Sequence, residues 1–339
     1  MAWPLIKLLP KKTNLKFVRF AFLAGFVSLG LVIASFASMF TAGFRENPVE
    51  IWQSAAGGPM DRVGAILMRG FNLGIDFRGG AVLELTAEQP IDLETVRSGL
   101  GALDLGDVQV QSFNDPTHAM VRYQIAGGEP SAITQRVQAQ LQSLVPGVTF
   151  SRVEVVGPKV SRELFEGGLQ ALGYAIVLML IYIWFRFELQ FGFGAVLALF
   201  HDTILTLGLF SVFRIEFTLT IIAALLTIIG YSMNDTVVVF DRLRENYRKY
   251  KRMPRPEVID LSTNETLSRT MMTSVTALLA ALALWVYGGD TLRGFAIAMT
   301  FGIFIGTYSS IYVAAPATLL WAKDRGARSA AAPAPQDAQ

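Results

Sequence analysis

The residues of this chain best suited to chemistry are Asn234 and Asp235, which lie inside a long apolar segment. A carboxylate within a membrane-spanning helix costs about 2.5 to 3.5 kcal/mol on insertion scales, so it usually faces a bundle interior or a water-filled path. A carboxyl group in such a place can bind and release a proton. The pattern therefore predicts a proton relay or coupling site at Asp235, with Asn234 beside it.

A second interpretation places Asp235 near the membrane surface, where its side chain would reach water beside Asp241 and Arg242. The apolar run VVVF follows Asp235 and sets it about six residues, or about 9 Å, inside those charges at 1.5 Å per residue. This spacing favours the intramembrane position.

Two other apolar segments carry polar residues that could join the same site. His201 and Asp202 are adjacent in one, and Arg269 opens another, from which it could offset the charge of Asp235. Polar groups of this kind are disfavoured in lipid, so they are expected to converge inside the bundle. For His201 and Asp202 two roles stay open, because such groups also bind helices together, at about 0.6 to 2 kcal/mol each.

The composition is typical of a polytopic membrane protein. Of the 339 residues, 52% are hydrophobic and 17% are charged, and the net charge of +2 is too small to indicate nucleic acid binding. The chain has no Cys, so disulfides and Cys-based metal sites are excluded. It has two His, so a His-rich metal site is not supported. No cofactor is expected.

Six segments are apolar and long enough to cross a bilayer, which requires about 20 residues. They are residues 17–40, 168–187, 191–213, 217–240, 270–287 and 293–321, the last with a possible bend near Pro316. The first has a longer apolar core than a secretory signal, which favours an uncleaved anchor.

Lys and Arg are concentrated before the first span and after the fourth, which places both flanks in the cytoplasm by the positive-inside rule. The predicted cytoplasmic parts are the N-terminus 1–16, a basic loop 241–269 and a tail 322–339 poor in bulky apolar residues, which we expect to be disordered. The stretch 41–166 then lies outside the cytoplasm.

The exported stretch has a core at about 81–156 whose patterns follow the order β-α-β-β-α-β, the order of ferredoxin-like α+β domains. It contains no nucleophile set and no paired-His spacing, so we interpret it as a binding or lever module. The preceding string GIDFRGG at 74–80 lacks the following helix that a phosphate loop needs, which favours a tight turn.

Small residues recur every fourth position in the sixth span, a pattern that permits close helix packing and is typical of a contact surface between helices or subunits. No chemistry is expected there. The residues are Gly294, Ala298, Gly302, Gly306, Ser310 and Ala314.

Four strings together resemble the SecD/SecF family of the bacterial protein-secretion machinery, on its SecF side. They are FNLGIDFRGG at 71–80, HDTILTLGLF at 201–210, GYSMNDTVVVFDRLREN at 230–246 and LSRTMMTS at 267–274. The resemblance covers most of the chain.

The resemblance implies an RND-like half of a twelve-span unit in the bacterial inner membrane, with SecD supplying the other half. It further implies work with the SecYEG translocon on unfolded preproteins, driven by the proton motive force. The coupling carboxylate of the family falls on Asp235 and its arginine on Arg269. The motif, a possible hinge, falls on Gly74, Asp76, Phe77, Gly79 and Gly80.

The expected function is therefore non-enzymatic assistance to protein export, in contact with membrane lipids and without nucleic acid. The alternative is a proton-coupled exporter of small amphiphiles or lipids, which would be expected to carry larger paired exported domains. An intramembrane hydrolase using His201 and Asp202 lacks a placed nucleophile.

Overall fold

The computed structural model describes residues 13–54, 58, 62, 66, 68–103, 105, 108–112, 115–125 and 129–321. The predicted tail 322–339 and residues 1–12 of the predicted N-terminus lie outside the described residues. The helices, numbered along the chain, are α1 (Phe17–Phe40), α2 (Pro48–Ser54), α3 (Ile75–Arg78), α4 (Leu93–Gly101), α5 (Pro130–Leu144), α6 (Pro158–Arg186), α7 (Leu189–Phe213), α8 (Leu219–Lys249), α9 (Arg255–Tyr287), α10 (Gly289–Ser309) and α11 (Ala315–Ala317).

In the described part of the chain, six helical segments are long and apolar enough to cross a membrane, as the sequence predicts. They are α1, α6, α7, α8, α9 and the segment Thr291–Leu320. Three boundaries differ from the prediction: α6 already begins at Pro158, α8 continues to Lys249, and α9 already begins at Arg255. The charged residues there are good helix formers, so the helices do not end where the apolar residues end. Most of the predicted basic loop is consequently helical.

The sixth span is interrupted by a π-helix, Ser310–Ala314, which follows α10 and leads into α11 and a final 3₁₀ turn, Thr318–Trp321. Pro316 has no backbone N–H to donate and its ring crowds the preceding turn, so a regular α-helix is disturbed on its N-terminal side. The irregularity thus precedes the proline at which a bend was predicted. It begins at Ser310.

The chain forms two compact units. The membrane unit comprises Met1–Phe71, Leu172–Ile215 and Thr220–Gln339, and the sheet unit comprises Asn72–Ala171 and Glu216–Leu219.

Between Gly80 and Val156 the sheet unit has the predicted element order β-α-β-β-α-β. Its strands are β1 (Asn72–Leu73), β2 (Gly80–Thr86), β3 (Val108–Ser112), β4 (His118–Tyr123), β5 (Thr149–Val156) and β6 (Glu216–Phe217). Four of them form an antiparallel sheet in the order β3-β4-β2-β5. Fully buried Leu83 and Val121 from the sheet pack with Leu100 of α4 and Leu141 of α5 in a single core. The remaining pair, β1 and β6, is parallel.

Within the membrane unit, the small-residue stripe of α10 packs against α8 of the same chain. A Cβ placed on Gly302 would lie 2.4 Å from Cδ1 of Ile228, and one placed on Gly306 would lie 2.9 Å from Cβ of Ser232. Only residues without a side chain allow the two helix backbones to approach this closely. The stripe thus makes an intrachain helix contact.

Candidate functional site

Asp235 lies on α8 with its carboxylate buried in the membrane unit. Its side chain is 7% exposed. Oδ1 accepts a hydrogen bond from the Thr270 hydroxyl on α9 at 2.5 Å, and Oδ2 accepts one from the Ser310 hydroxyl at 2.6 Å. Three spans therefore meet at this carboxylate, and the partners that hold it are neutral hydroxyl groups.

A second buried carboxylate, Asp202 on α7, has a similar set of partners. Oδ2 accepts hydrogen bonds from Ser309, at 2.7 Å, and from Ser232. Oδ1 lies 2.8 Å from Nδ1 of the neighbouring His201. Asp202 is 2% exposed and His201 is 5% exposed, so this cluster is enclosed by protein.

The two carboxylates share a segment of the sixth span, because Ser309 donates to Asp202 while the next residue, Ser310, donates to Asp235. Successive residues of a regular α-helix point about 100° apart, so one turn can serve two different neighbouring helices. The π-helix begins at Ser310, and single π turns inside helices are frequent at functional sites.

Each of these serine hydroxyls also has a second acceptor on its own helix. Ser309 lies 3.1 Å from the carbonyl oxygen of Gly306, and Ser310 lies 3.0 Å from that of Thr307. A hydroxyl group has one hydrogen to donate. Each serine can therefore direct this hydrogen to a carboxylate or to a backbone carbonyl.

Arg269 and Asn234 occupy exposed positions. Arg269 precedes Thr270 on α9, and its positive charge acts on Asp235, although it is absent from the ion pairs within 4.0 Å among the described residues. Thr273 and Thr276, which follow Arg269 on α9, are exposed and donate to carbonyl groups of their own helix. The structure thus brings His201 and Asp202 into buried clusters and leaves Asn234 outside them.

Four hydroxyl residues at the site were missed by the sequence analysis: Ser232, Thr270, Ser309 and Ser310. Ser310 was assigned to packing alone, which is wrong, since its hydroxyl donates to Asp235. The available signals were the double serine in an apolar run and the position of Ser232 three residues before Asp235, on the same helix face.

The segment Gly74–Gly80 is a packed turn within the sheet unit. Gly79 and Gly80 have φ of 76° and 134°, and a Cβ on Gly80 would lie 2.3 Å from the carbonyl oxygen of Tyr123. The ring of Phe77 packs on those of Phe165 and Phe217. Gly79 and Gly80 therefore allow the positive φ angles of the turn and its close contact with Tyr123. Bending at Gly74–Gly80 would first have to break this contact and the packing of Phe77.

Asp76, also in this turn, accepts a hydrogen bond at 2.8 Å from the backbone N–H of Leu219, the first residue of α8. The first N–H groups of a helix have no partner within the helix and carry partial positive charge, so a carboxylate there is stabilising. The glycine-rich turn therefore caps the helix that carries Asp235.

A half-buried ion pair joins β4 to β6 in the sheet unit. The Arg122 guanidinium donates to the Glu216 carboxylate at 2.5 Å. Burial raises the pKa of Glu216, and the opposing attraction of Arg122 lowers it less. Among the described residues, no group of three or more His, Asp or Glu side chains is arranged to hold a metal ion.

Comparisons with known proteins agree on one family. Residues 136–324 match the family model described as "Protein export membrane protein SecD/SecF, C-terminal", and residues 64–91 match the "SecD/SecF GG Motif". The protein translocase subunit SecF of Cereibacter sphaeroides is 43% identical over 95% of this chain and 94% of the relative. That of Rhodobacter capsulatus is 42% identical over 94% of this chain and 92% of the relative.

A solved structure is also similar. The crystal structure of SecDF from Thermus thermophilus, described as a translocon-associated membrane protein, aligns with a TM-score of 0.73 and 32% sequence identity. The alignment covers 93% of this chain and 39% of the SecDF chain, so the present chain corresponds to a part of that longer protein.

Proposed function

This chain belongs to the SecD/SecF family of protein export membrane proteins, and we propose that it drives protein export by binding and releasing protons at Asp235. It is a multi-pass membrane protein similar along most of its length to SecF subunits of the protein translocase. The proposal assigns Asp235 as the coupling carboxylate, with Arg269 as the cation that acts on it.

The observation that carries this proposal is the burial of Asp235 among neutral hydroxyl groups. A purely structural carboxylate would be expected to have a cation in direct contact, because an unpaired buried charge is costly. Asp235 instead accepts hydrogen bonds from Thr270 and Ser310. Binding a proton would remove the charge altogether, which suits a group that alternates between two protonation states.

The hydrogen bonds also provide a way for a proton to change helix packing. The ionised carboxylate accepts from Ser310, whereas a protonated carboxyl group has a hydrogen of its own to donate. The Ser310 hydroxyl can then turn to the carbonyl oxygen of Thr307, which lies 3.0 Å away. Protonation would thereby loosen the contact of α8 with the sixth span.

The energy available from protons is sufficient for such a change. A membrane potential contributes about 2.3 kcal/mol per elementary charge per 100 mV. Each unit of pH difference adds about 1.4 kcal/mol per proton. Together these amounts exceed the contribution of one interhelical hydrogen bond, about 0.6 to 2 kcal/mol.

We assign the sheet unit the role of holding the exported polypeptide. Its strands β3 and β5 lie at the two edges of the sheet and can pair with an extended chain through backbone hydrogen bonds. Because Asp76 caps the first residue of α8, the sheet unit is connected to the helix that carries Asp235. This connection favours a mechanical link between proton binding and polypeptide binding.

The proposed setting is the bacterial inner membrane, with both termini in the cytoplasm and the sheet unit on the outer side. The proposed partners are SecD, the SecYEG translocon and unfolded preproteins, surrounded by membrane lipids. Support comes from the SecDF structure, of which this chain matches 39% of the length, leaving a remainder for a SecD-like part. The role is non-enzymatic. The alternative, export of small amphiphiles, has no supporting observation in the site.

Export into inverted membrane vesicles tests the proposal. Asp235→Asn should abolish the stimulation of export by a proton gradient while the protein stays folded, because an amide cannot bind a proton reversibly. The matched control is Asp241→Asn on the same helix, an exposed carboxylate that pairs with Arg186, which should keep the stimulation. Full gradient dependence in Asp235→Asn would overturn the assignment.

A further inference from the structure

The buried His201–Asp202 pair has a property that its hydrogen bonds leave unexplained. Nε2 of His201 is buried and has no hydrogen-bond partner among the described residues. Buried polar side-chain atoms almost always have a partner, and leaving one unsatisfied costs about 1 to 3 kcal/mol. This nitrogen is therefore available to a proton or to a visiting donor.

The partners of Asp202 determine which nitrogen of His201 is free. Asp202 accepts from Ser232 and Ser309 at Oδ2, and its Oδ1 faces Nδ1 of His201. An ionised carboxylate only accepts hydrogen bonds, so the hydrogen between Oδ1 of Asp202 and His201 is carried by Nδ1. A neutral imidazole then has its lone pair on Nε2, where it can accept a proton.

From this geometry we propose that His201 and Asp202 form a second proton-binding site, which takes its proton on Nε2 of His201 and is coupled to Asp235. The inference extends the proposed function, although the site can be observed without any export assay. The proton adds to the Nε2 lone pair and no bond is broken. The charge of the pair changes from −1 to 0, which removes a net charge from the membrane interior.

The groups facing the pair leave the proton few other places to bind. From α10, the ring of Tyr308 stacks on His201 at 6.2 Å, and its hydroxyl bonds to Ser28 and to the carbonyl of Ala24 on α1. The ionisable side chain of α1, Arg19, is exposed near the start of that helix. On α8 the ionisable group close to Ser232 is Asp235, on which the exposed Arg269 acts.

Two short connections couple this pair to Asp235. On α8, Ser232 contacts Asp202 and lies three residues before Asp235, one turn away on the same face. On the sixth span, consecutive Ser309 and Ser310 donate to Asp202 and Asp235. A serine that turns its hydrogen to its own helix carbonyl no longer donates to the carboxylate that it contacts. A change in protonation at Asp235 that redirects Ser310 therefore acts on the residue next to Ser309, which donates to Asp202.

Solid-state NMR of ¹⁵N-histidine-labelled full-length protein in lipid bilayers tests this proposal. The chain has two histidines, and His118→Gln removes the signal of the exposed one. We expect neutral His201 to carry its hydrogen on Nδ1 and to gain a second proton as the pH is lowered. At a fixed pH, Asp235→Asn should lower the doubly protonated fraction, because it removes a nearby negative charge.

Asp241→Asn is the matched control and should leave the His201 spectrum unchanged, since Asp241 is exposed and pairs with Arg186. A neutral His201 with its hydrogen on Nε2 would overturn the proposal, as would an equal response to both Asn variants. If Asp235→Asn fails to fold, the His118→Gln protein still tests the proposal, because its spectrum shows whether neutral His201 carries its hydrogen on Nδ1 or on Nε2. An unchanged His201 signal in an Asp235→Asn protein that has lost gradient-driven export would refute the second site and leave the proposed function intact.

Discussion

Gly302 of α10 lies directly against Ile228 of α8, so closely that a Cβ on the glycine would be 2.4 Å from Cδ1 of the isoleucine. This contact, repeated one turn later between Gly306 and Ser232, brings the backbones of the two helices together. The distance between these helices decides whether the hydroxyl of Ser310 reaches Asp235 on α8. Close packing and the proposed proton binding at Asp235 thus depend on the same glycines.

We therefore expect Gly302→Ala to separate α10 from α8. The added methyl group meets a β-branched side chain that cannot turn away, so the change should destabilise the protein by about 1 to 3 kcal/mol. Gradient-stimulated export should fall with it. Denaturant unfolding in detergent and vesicle export are the measurements. The control is Gly230→Ala on α8, where a Cβ meets nothing within 4 Å; equal stability of the two variants would contradict the packing argument.

A second prediction concerns the charge of Arg269 at Asp235. If the guanidinium acts on this carboxylate during the cycle, Asp235→Asn and Arg269→Gln should have non-additive effects on export. Their coupling should exceed about 0.5 kcal/mol, the limit within which distant sites add. A double-mutant cycle of gradient-stimulated export rates measures it. Strictly additive losses would mean that the two side chains work independently.

The conformation of the glycine-rich turn can be tested by Gly80→Ala. Its φ of 134° is a conformation that residues with a side chain rarely adopt, and a Cβ would lie 2.3 Å from the Tyr123 carbonyl oxygen. We expect a loss of more than about 1 kcal/mol in the stability of the sheet unit. The matched control is Gly101→Ala, where a Cβ meets nothing within 4 Å. Limited proteolysis of the folded protein compares the stability of the two variants. Equal resistance of Gly80→Ala and Gly101→Ala to the protease would contradict the conformation assigned to Gly80.

The Glu216–Arg122 ion pair predicts a dependence of sheet-unit stability on pH. The pKa of Glu216 is raised above its ordinary value of 4.5 by burial. The folded state therefore binds this proton more tightly than the unfolded state. Its stabilising contribution is fully present below pH 4.5 and is lost as the pH rises through the folded-state pKa.

Hydrogen exchange of the Gly74 amide, which donates to the carbonyl of Phe217, measures this effect. After correction for intrinsic exchange rates, protection should fall as the pH rises above 4.5 in the unmodified protein. Glu216→Gln has no proton to lose and should flatten that profile. A rise of protection with pH would show that the attraction of Arg122 outweighs burial.

The mechanical role proposed for the sheet unit predicts that its movement is needed for export. The chain contains no Cys, so one cysteine in each unit can be introduced and joined by oxidation. Export should stop in the cross-linked protein and return on reduction, whereas each single-cysteine variant should be insensitive to oxidation. Full activity of the cross-linked form would identify the sheet unit as a static support.

The sequence by itself determined the six spans and the order of strands and helices in the core of the sheet unit. It also identified Asp235 as a candidate functional group, because a carboxylate is costly in an apolar helix. Hydropathy and periodicity are local properties, and they are sufficient for these predictions because burial in lipid or in a sheet imposes a fixed repeat. The length of α8 was underestimated because a helix can continue into water when its residues favour helix formation.

Only the tertiary structure decided which side chains hold the two carboxylates. Serine and threonine are common in membrane helices and usually bond to their own backbone, as Thr273 and Thr276 do here, so sequence cannot separate them from Thr270 and Ser310. Thr270 and Ser310 differ from Thr273 and Thr276 because they lie on the helix faces that contact neighbouring helices. That is set by close contacts such as Gly302 with Ile228, between residues far apart in the chain. Asn234, adjacent to Asp235 in sequence, is exposed because successive helical residues point about 100° apart.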